Sequence, residues 1–159
     1  MKRVLTLLMI IAAVFAFAGC TSEDTAGGQD EAVPAEAGTL GNYEVAIKDC
    51  ELVKDYEDKD AIAISVDFTN NSDEAISFDV AMMWDVFQDG VELETASVYT
   101  DEDSFDCLDD DTSRQIKPGK TIKVVITKEL ENTESPVDVE IEEFLGSGDK
   151  LAKTFDLKE

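Results

Sequence analysis

The densest run of chemically active side chains is TDEDSFDCLDDDTSR, residues 100–114, with seven acidic residues between Asp101 and Asp111. Hard cations such as calcium take several carboxylate and carbonyl oxygens at once. Asp101, Asp103, Asp106, Asp109, Asp110 and Asp111 offer such oxygens. The spacing is not that of an EF-hand loop: its fifth place falls on Phe105, and its sixth, which needs glycine, on Asp106. A calcium site here would be irregular and weak, with a Kd of roughly 10⁻⁴–10⁻³ M. The plainer expectation is a solvated loop, or a docking strip for a basic partner.

Catalysis finds little to work with. The chain has no histidine, which removes Ser-His-Asp and Cys-His nucleophile systems and the commonest proton shuttle. Ser147-Gly148-Asp149-Lys150 matches S-x-x-K. That chemistry needs serine and lysine one helical turn apart with companion motifs, whereas this serine sits between two glycines in a turn. A carboxylate-dependent hydrolase is the remote alternative. With 37 acidic residues, however, close pairs arise from crowding alone. The expectation is a non-enzymatic protein with no catalytic residue and no cofactor beyond weakly held calcium.

The three cysteines divide into one and two. Lys2 and Arg3 precede an almost wholly apolar run of fourteen residues, Val4 to Phe17. This fits the hydrophobic region of a secretory signal and falls short of the roughly 20 residues of a spanning helix. Phe17 is bulky where ordinary signal peptidase prefers a small residue. Ala18-Gly19-Cys20 resembles the lipobox of bacterial lipoproteins, with Phe17 departing from the more usual leucine. The resemblance implies a diacylglycerol on the Cys20 thiol and cleavage before Cys20. Cys50 and Cys107 then remain. They either form a disulfide, which over so long a loop contributes roughly 4 kcal/mol in the chain-entropy treatment, or stay as two separate buried thiols.

Charge narrows the partners. Thirteen basic residues stand against 37 acidic ones, a net charge of −24. Such a chain repels nucleic acid and anionic lipid headgroups, attracts cations and basic proteins, and is kept soluble and monomeric. Hydrophobic residues make up 43%, enough for one modest core.

The elements that must position these groups are strands. Residues 21–40 are small, polar and acidic (Glu23, Asp24, Asp30, Glu31, Glu36), without Lys or Arg, and read as a flexible tether. Its reach is roughly 25 Å. From Gly41 the pattern alternates. Tyr43, Val45 and Ile47 form one apolar row, and Ile62, Ile64, Val66 and Phe68 another. After the Asn70-Asn71-Ser72-Asp73 turn, Ile76, Phe78, Val80, Met82, Trp84 and Val86 continue it, placing Trp84 in the core and Met83 and Phe87 on the opposite face. Asp89-Gly90 predicts a hairpin and Lys117-Pro118-Gly119-Lys120 a type II turn. Ile122 to Ile126, Val137 to Ile141 and Leu151 to Leu157 complete about seven strands. The acidic stretch 100–114 falls where a sandwich crosses between sheets.

The segments YEVAIKDCELVKDY, AIAISVDFTNNSDEAISF, FQDGVELETA, IKPGKTIKV, PVDVEIEEF and LAKTFDL resemble an uncharacterised domain family of Gram-positive surface lipoproteins. That family is similar in turn to an extracellular immunoglobulin-like group that includes a secreted mycobacterial immunoprotective antigen. The resemblance covers about Asn42 to Leu157 and implies no activity. The expected protein is therefore an all-β, immunoglobulin-like antiparallel sandwich at 41–159, behind a signal peptide (1–19) and a tether (20–40). It is anchored to the outer face of the cell membrane through Cys20 and acts by binding.

Overall fold

The computed structural model describes residues 35–99, 108 and 110–158. Two four-stranded antiparallel sheets face each other. The first contains β1 (Ala37–Leu40), β2 (Tyr43–Lys54), β3 (Asp60–Asn70) and β6 (Lys120–Glu129), in that order. The second is ordered β5 (Val91–Glu92), β4 (Met82–Gln88), β7 (Val137–Glu143) and β8 (Lys150–Phe155). The pairings β2–β3, β3–β6, β4–β7, β7–β8 and β4–β5 are those of strands A–B, B–E, C–F, F–G and C–C′ in an immunoglobulin-type sandwich. An isolated bridge between Thr95 and Lys128 stands where strand D would edge the first sheet.

Alternation explains the core. Ile62, Ile64, Val66 and Phe68 of β3 meet Val139 and Ile141 of β7 and Val86 of β4 in one buried cluster. Each inward row is completed by apolar partners across the strand pair, such as Ile64 opposite Ile126 and Val66 opposite Val124. A second small cluster, Ala61, Ala96 and Val98 with Val53 and Leu108 against it, lies on the other face of the first sheet. It forms where the connection from β5 to β6 crosses between sheets. Leu108 ties into it by donating its N–H to the Val98 carbonyl at 2.7 Å.

The turns follow their chemistry. Asp89 and Gly90 both have positive φ (53° and 78°), as a tight two-residue hairpin requires. Gly119 has φ 70°, and Lys120 donates to the Lys117 carbonyl at 3.2 Å, closing the turn at Pro118-Gly119.

Three features depart from the alternation. The sandwich begins before Gly41: Ala37–Leu40, which composition assigns to the tether, pairs with β2 from Ala37↔Ala46 to Leu40↔Tyr43. Its small residues let the backbone approach β8, with the Gly38 Cβ position only 3.2 Å from a Leu151 methyl. Glu36 is likewise part of the fold, paired with Lys153 at 3.0 Å. Next, Phe78–Ala81 forms a single helical turn, α1, so β4 starts only at Met82. The turn delivers Phe78 to the core and rotates Val80 outward, to 58% exposure. Finally, β2 carries a bulge between Ile47 and Cys50, which returns Cys50 to the inward face opposite Ile64.

Candidate functional site

Four of the six acidic residues that sequence points to as cation ligands, Asp101, Asp103, Asp106 and Asp109, lie outside the described residues. So do Cys20 and Cys107. Asp110 and Asp111 open a 3-10 turn, Asp110–Ser113, and Asp111 pairs with Arg114 at 3.0 Å. Among the described residues no group of three or more acidic or sulfur side chains is placed to hold a metal.

Cys50 stands as a free thiol among the described residues, and Cys107, the other half of the expected pair, lies outside them. Cys50 sits half-buried against the main core, whereas Leu108 packs on the far side of the same sheet. Burial, aided by the Asp49 carboxylate, pushes the Cys50 thiol above its ordinary 9.0.

Carboxylates concentrate on the outer face of the second sheet. Asp85 on β4 stands directly opposite Glu140 on β7, and Met83 opposite Glu142. Like charges in such positions repel. Lys150 on β8 relieves them, with its ammonium 2.6 Å from Glu140. The hydrogen bond and charge of Glu140, with Glu142 and Asp85 adding, hold Lys150 above the ordinary lysine value. Beside them Asp138 accepts the Thr154 hydroxyl at 2.6 Å. Of the three β7 carboxylates on this face, Asp138 and Glu140 are thus engaged by Thr154 and Lys150.

At the start of β4 the acidic face meets apolar surface. Trp84 is half-buried and stacks on Phe78 with ring centroids 4.9 Å apart. Phe78 meets Phe68 edge-on at 5.4 Å, and Phe68 meets Tyr43 at 5.5 Å. This aromatic chain runs from the first sheet through the core and ends at a surface recess. The recess, about 360 Å³, is lined by Met82, Met83, Trp84 and Phe144 and by two carboxylates, Asp79 and Asp85. Phe144 is placed there by its N–H, which donates to the Ala81 carbonyl of α1 at 2.9 Å. Alternation set Met83 outward but placed Trp84 in the core, whereas its ring is only half-buried and lines the recess. It missed Phe144, which lies in the turn after β7 and carries no periodic signal.

The domain of unknown function DUF5067 matches residues 20–143. Among curated proteins none matches the chain. Three solved structures share its fold. A proposed lipoprotein of Staphylococcus aureus subsp. aureus NCTC 8325 is 16% identical with a TM-score of 0.59, over 79% of this chain and 90% of that one. A protein from Enterococcus faecalis is 17% identical with a TM-score of 0.56, over 80% and 95%. A β-sandwich protein from Clostridium difficile 630 is 16% identical with a TM-score of 0.52, over 85% and 100%. At these identities the likeness is one of fold alone. The family match begins at Cys20 and runs through β7, and the chain belongs to the DUF5067 domain family.

Proposed function

We propose that this protein is a lipid-anchored, extracytoplasmic binding module, held at the outer face of the membrane through Cys20 and acting by contact rather than by catalysis. The observation that carries the proposal is Ala18-Gly19-Cys20 behind a basic start and an apolar run of fourteen residues. The run is too short to span and is followed at once by Ala18-Gly19-Cys20, whose thiol can take a diacylglyceryl group. The family match beginning at Cys20 and the fold shared with a proposed staphylococcal lipoprotein support the reading. A binding role is favoured by a histidine-free chain and by large apolar side chains left at the surface, Phe144 and Leu145 among them. The acidity of the chain favours a basic partner.

Cell fractionation of the Cys20→Ala variant tests the anchor. The variant should appear in the soluble fraction or accumulate as an unprocessed precursor. A variant that stays fully in the membrane fraction with unchanged electrophoretic mobility rules the anchor out.

A further inference from the structure

Within that binding role, we infer that the recess at the start of β4 receives a single lysine or arginine side chain from a basic protein partner, with Phe144 and Leu145 packing beside it. The inference rests on the binding reading above and names its site.

The lining of the recess matches such a side chain in two parts. Met82, Met83, Trp84 and Phe144 offer apolar and aromatic walls, and Asp79 and Asp85 are the charged members. Lys and Arg carry an aliphatic stem that prefers apolar contact and a cationic head that prefers carboxylates and aromatic faces. At about 360 Å³ the recess is at the low end of small-ligand pockets, roughly 300–1,000 Å³. That suits one long side chain better than a cofactor.

Leu145 provides an independent observation. It is 90% exposed and has φ 64°, a left-handed conformation that costs leucine steric strain. The fold gains almost no burial from it in return. Strain and exposed apolar surface at one residue point to a contact made outside the chain. Neighbouring Phe144, which lines the recess, is 53% exposed.

Charge selects the partner. Among the described residues, Asp85, Glu140 and Glu142 share this face with one nearby cation, Lys150. A second copy of this chain brings the same negative charge, and nucleic acid or anionic lipid brings more, so all three are repelled. A basic protein surface is attracted.

Trp84 is the only tryptophan in the chain, so its fluorescence reports on the recess directly. The full chain, purified in a mild non-ionic detergent, is titrated at low salt with a ten-residue peptide of alternating Arg and Leu. The control peptide carries citrulline in place of Arg. A saturable change in Trp84 emission is expected with the Arg peptide and none with the citrulline peptide. In Asp79→Asn/Asp85→Asn the Kd should rise about tenfold, and in Leu145→Asn severalfold, whereas E57Q/D58N, neutralised on a different hairpin, should stay within about twofold. Unchanged Trp84 emission overturns the proposal. So does a loss of affinity in Asp79→Asn/Asp85→Asn no larger than in E57Q/D58N, because binding is then general attraction to an acidic protein. The titration does not depend on Cys20, so its failure is separate from failure of the anchor.

Discussion

The carboxylate of Glu143, at the end of β7, lies directly over the α-carbon of Gly41 in the turn between β1 and β2. A methyl group on residue 41 would coincide with it. Gly41 also has φ 58°, in the left-handed region. The two constraints differ in kind: a carboxylate at the end of a flexible side chain can swing away, but the backbone of a two-residue turn cannot. Gly41→Ala should therefore cost about 1–2 kcal/mol, almost all from φ. Chemical denaturation should find Glu143→Ala nearly neutral and the double variant no more stable than Gly41→Ala by itself. Full recovery in the double variant would assign the cost to the contact instead.

Gln88 is wholly buried and holds the loop between β6 and β7 from within. Its amide donates to the carbonyls of Asn132 and Ser135 at 2.9 and 3.0 Å. Its oxygen accepts from the N–H groups of Glu131 and Asn132 at 3.0 and 3.2 Å. Gln88→Ala leaves these backbone groups without their partner and should destabilise by about 2–3 kcal/mol. Amide exchange should quicken first in residues 131–135. Uniform quickening across both sheets would argue against a local bracket.

Leu145 should be replaceable to advantage. Asparagine tolerates its left-handed conformation, and the fold loses little buried surface. Leu145→Asn should raise stability by roughly 0.5–1 kcal/mol in thermal unfolding, if strain is relieved in full. The same variant is expected to bind the Arg–Leu peptide more weakly. Gain in stability with loss of binding is the signature of a residue kept for contact. A drop in melting temperature would show that Leu145 supports the fold.

Among the described residues, the groups that the fold holds above their ordinary values all favour the folded state at lower pH. Cys50 is raised from 9.0 by burial, Lys150 from 10.5 by Glu140, and exposed Tyr56 from 10.0 by the charge of Glu57. Lys59 is raised as well, by Glu57 and then Glu129. A group with a raised folded value keeps its proton in the fold after the unfolded chain has begun to lose its own. Its contribution is present in full below the unfolded value and is lost as pH rises through the folded one. The melting temperature should be level up to about pH 8.5 and fall from about pH 9 upward. Lys150→Gln should flatten the upper part of the fall. A level melting temperature to about pH 11 would contradict the shifts. Alkylation of Cys50 should likewise be slower than that of a model thiol at the same pH.

Much of the framework was legible along the chain because its causes are local. Alternation over Ile62 to Phe68 marks a strand since side chains in a strand point alternately to two faces. Asp89-Gly90 and Pro118-Gly119 mark turns through the φ values those residues accept. The readings that failed had non-local causes. β1 contributes one fully buried apolar residue, Leu40, and is held by backbone pairing to β2. α1 interrupts an unbroken alternation because Phe78 has to reach Phe68 and Trp84, a demand set by residues outside its own segment.

Local chemistry was thus sufficient for the strand faces and the tight turns, because each depends on neighbours a few positions away. The recess was not accessible in that way. It joins Asp79 of α1 and Trp84 of β4 to Phe144, some sixty residues later, and their apposition follows from the β4–β7 register and the Ala81–Phe144 hydrogen bond. The burial of Gln88 and the seat of Glu143 over Gly41 are likewise products of packing between distant segments. Only the closed sandwich brings those atoms within range of one another.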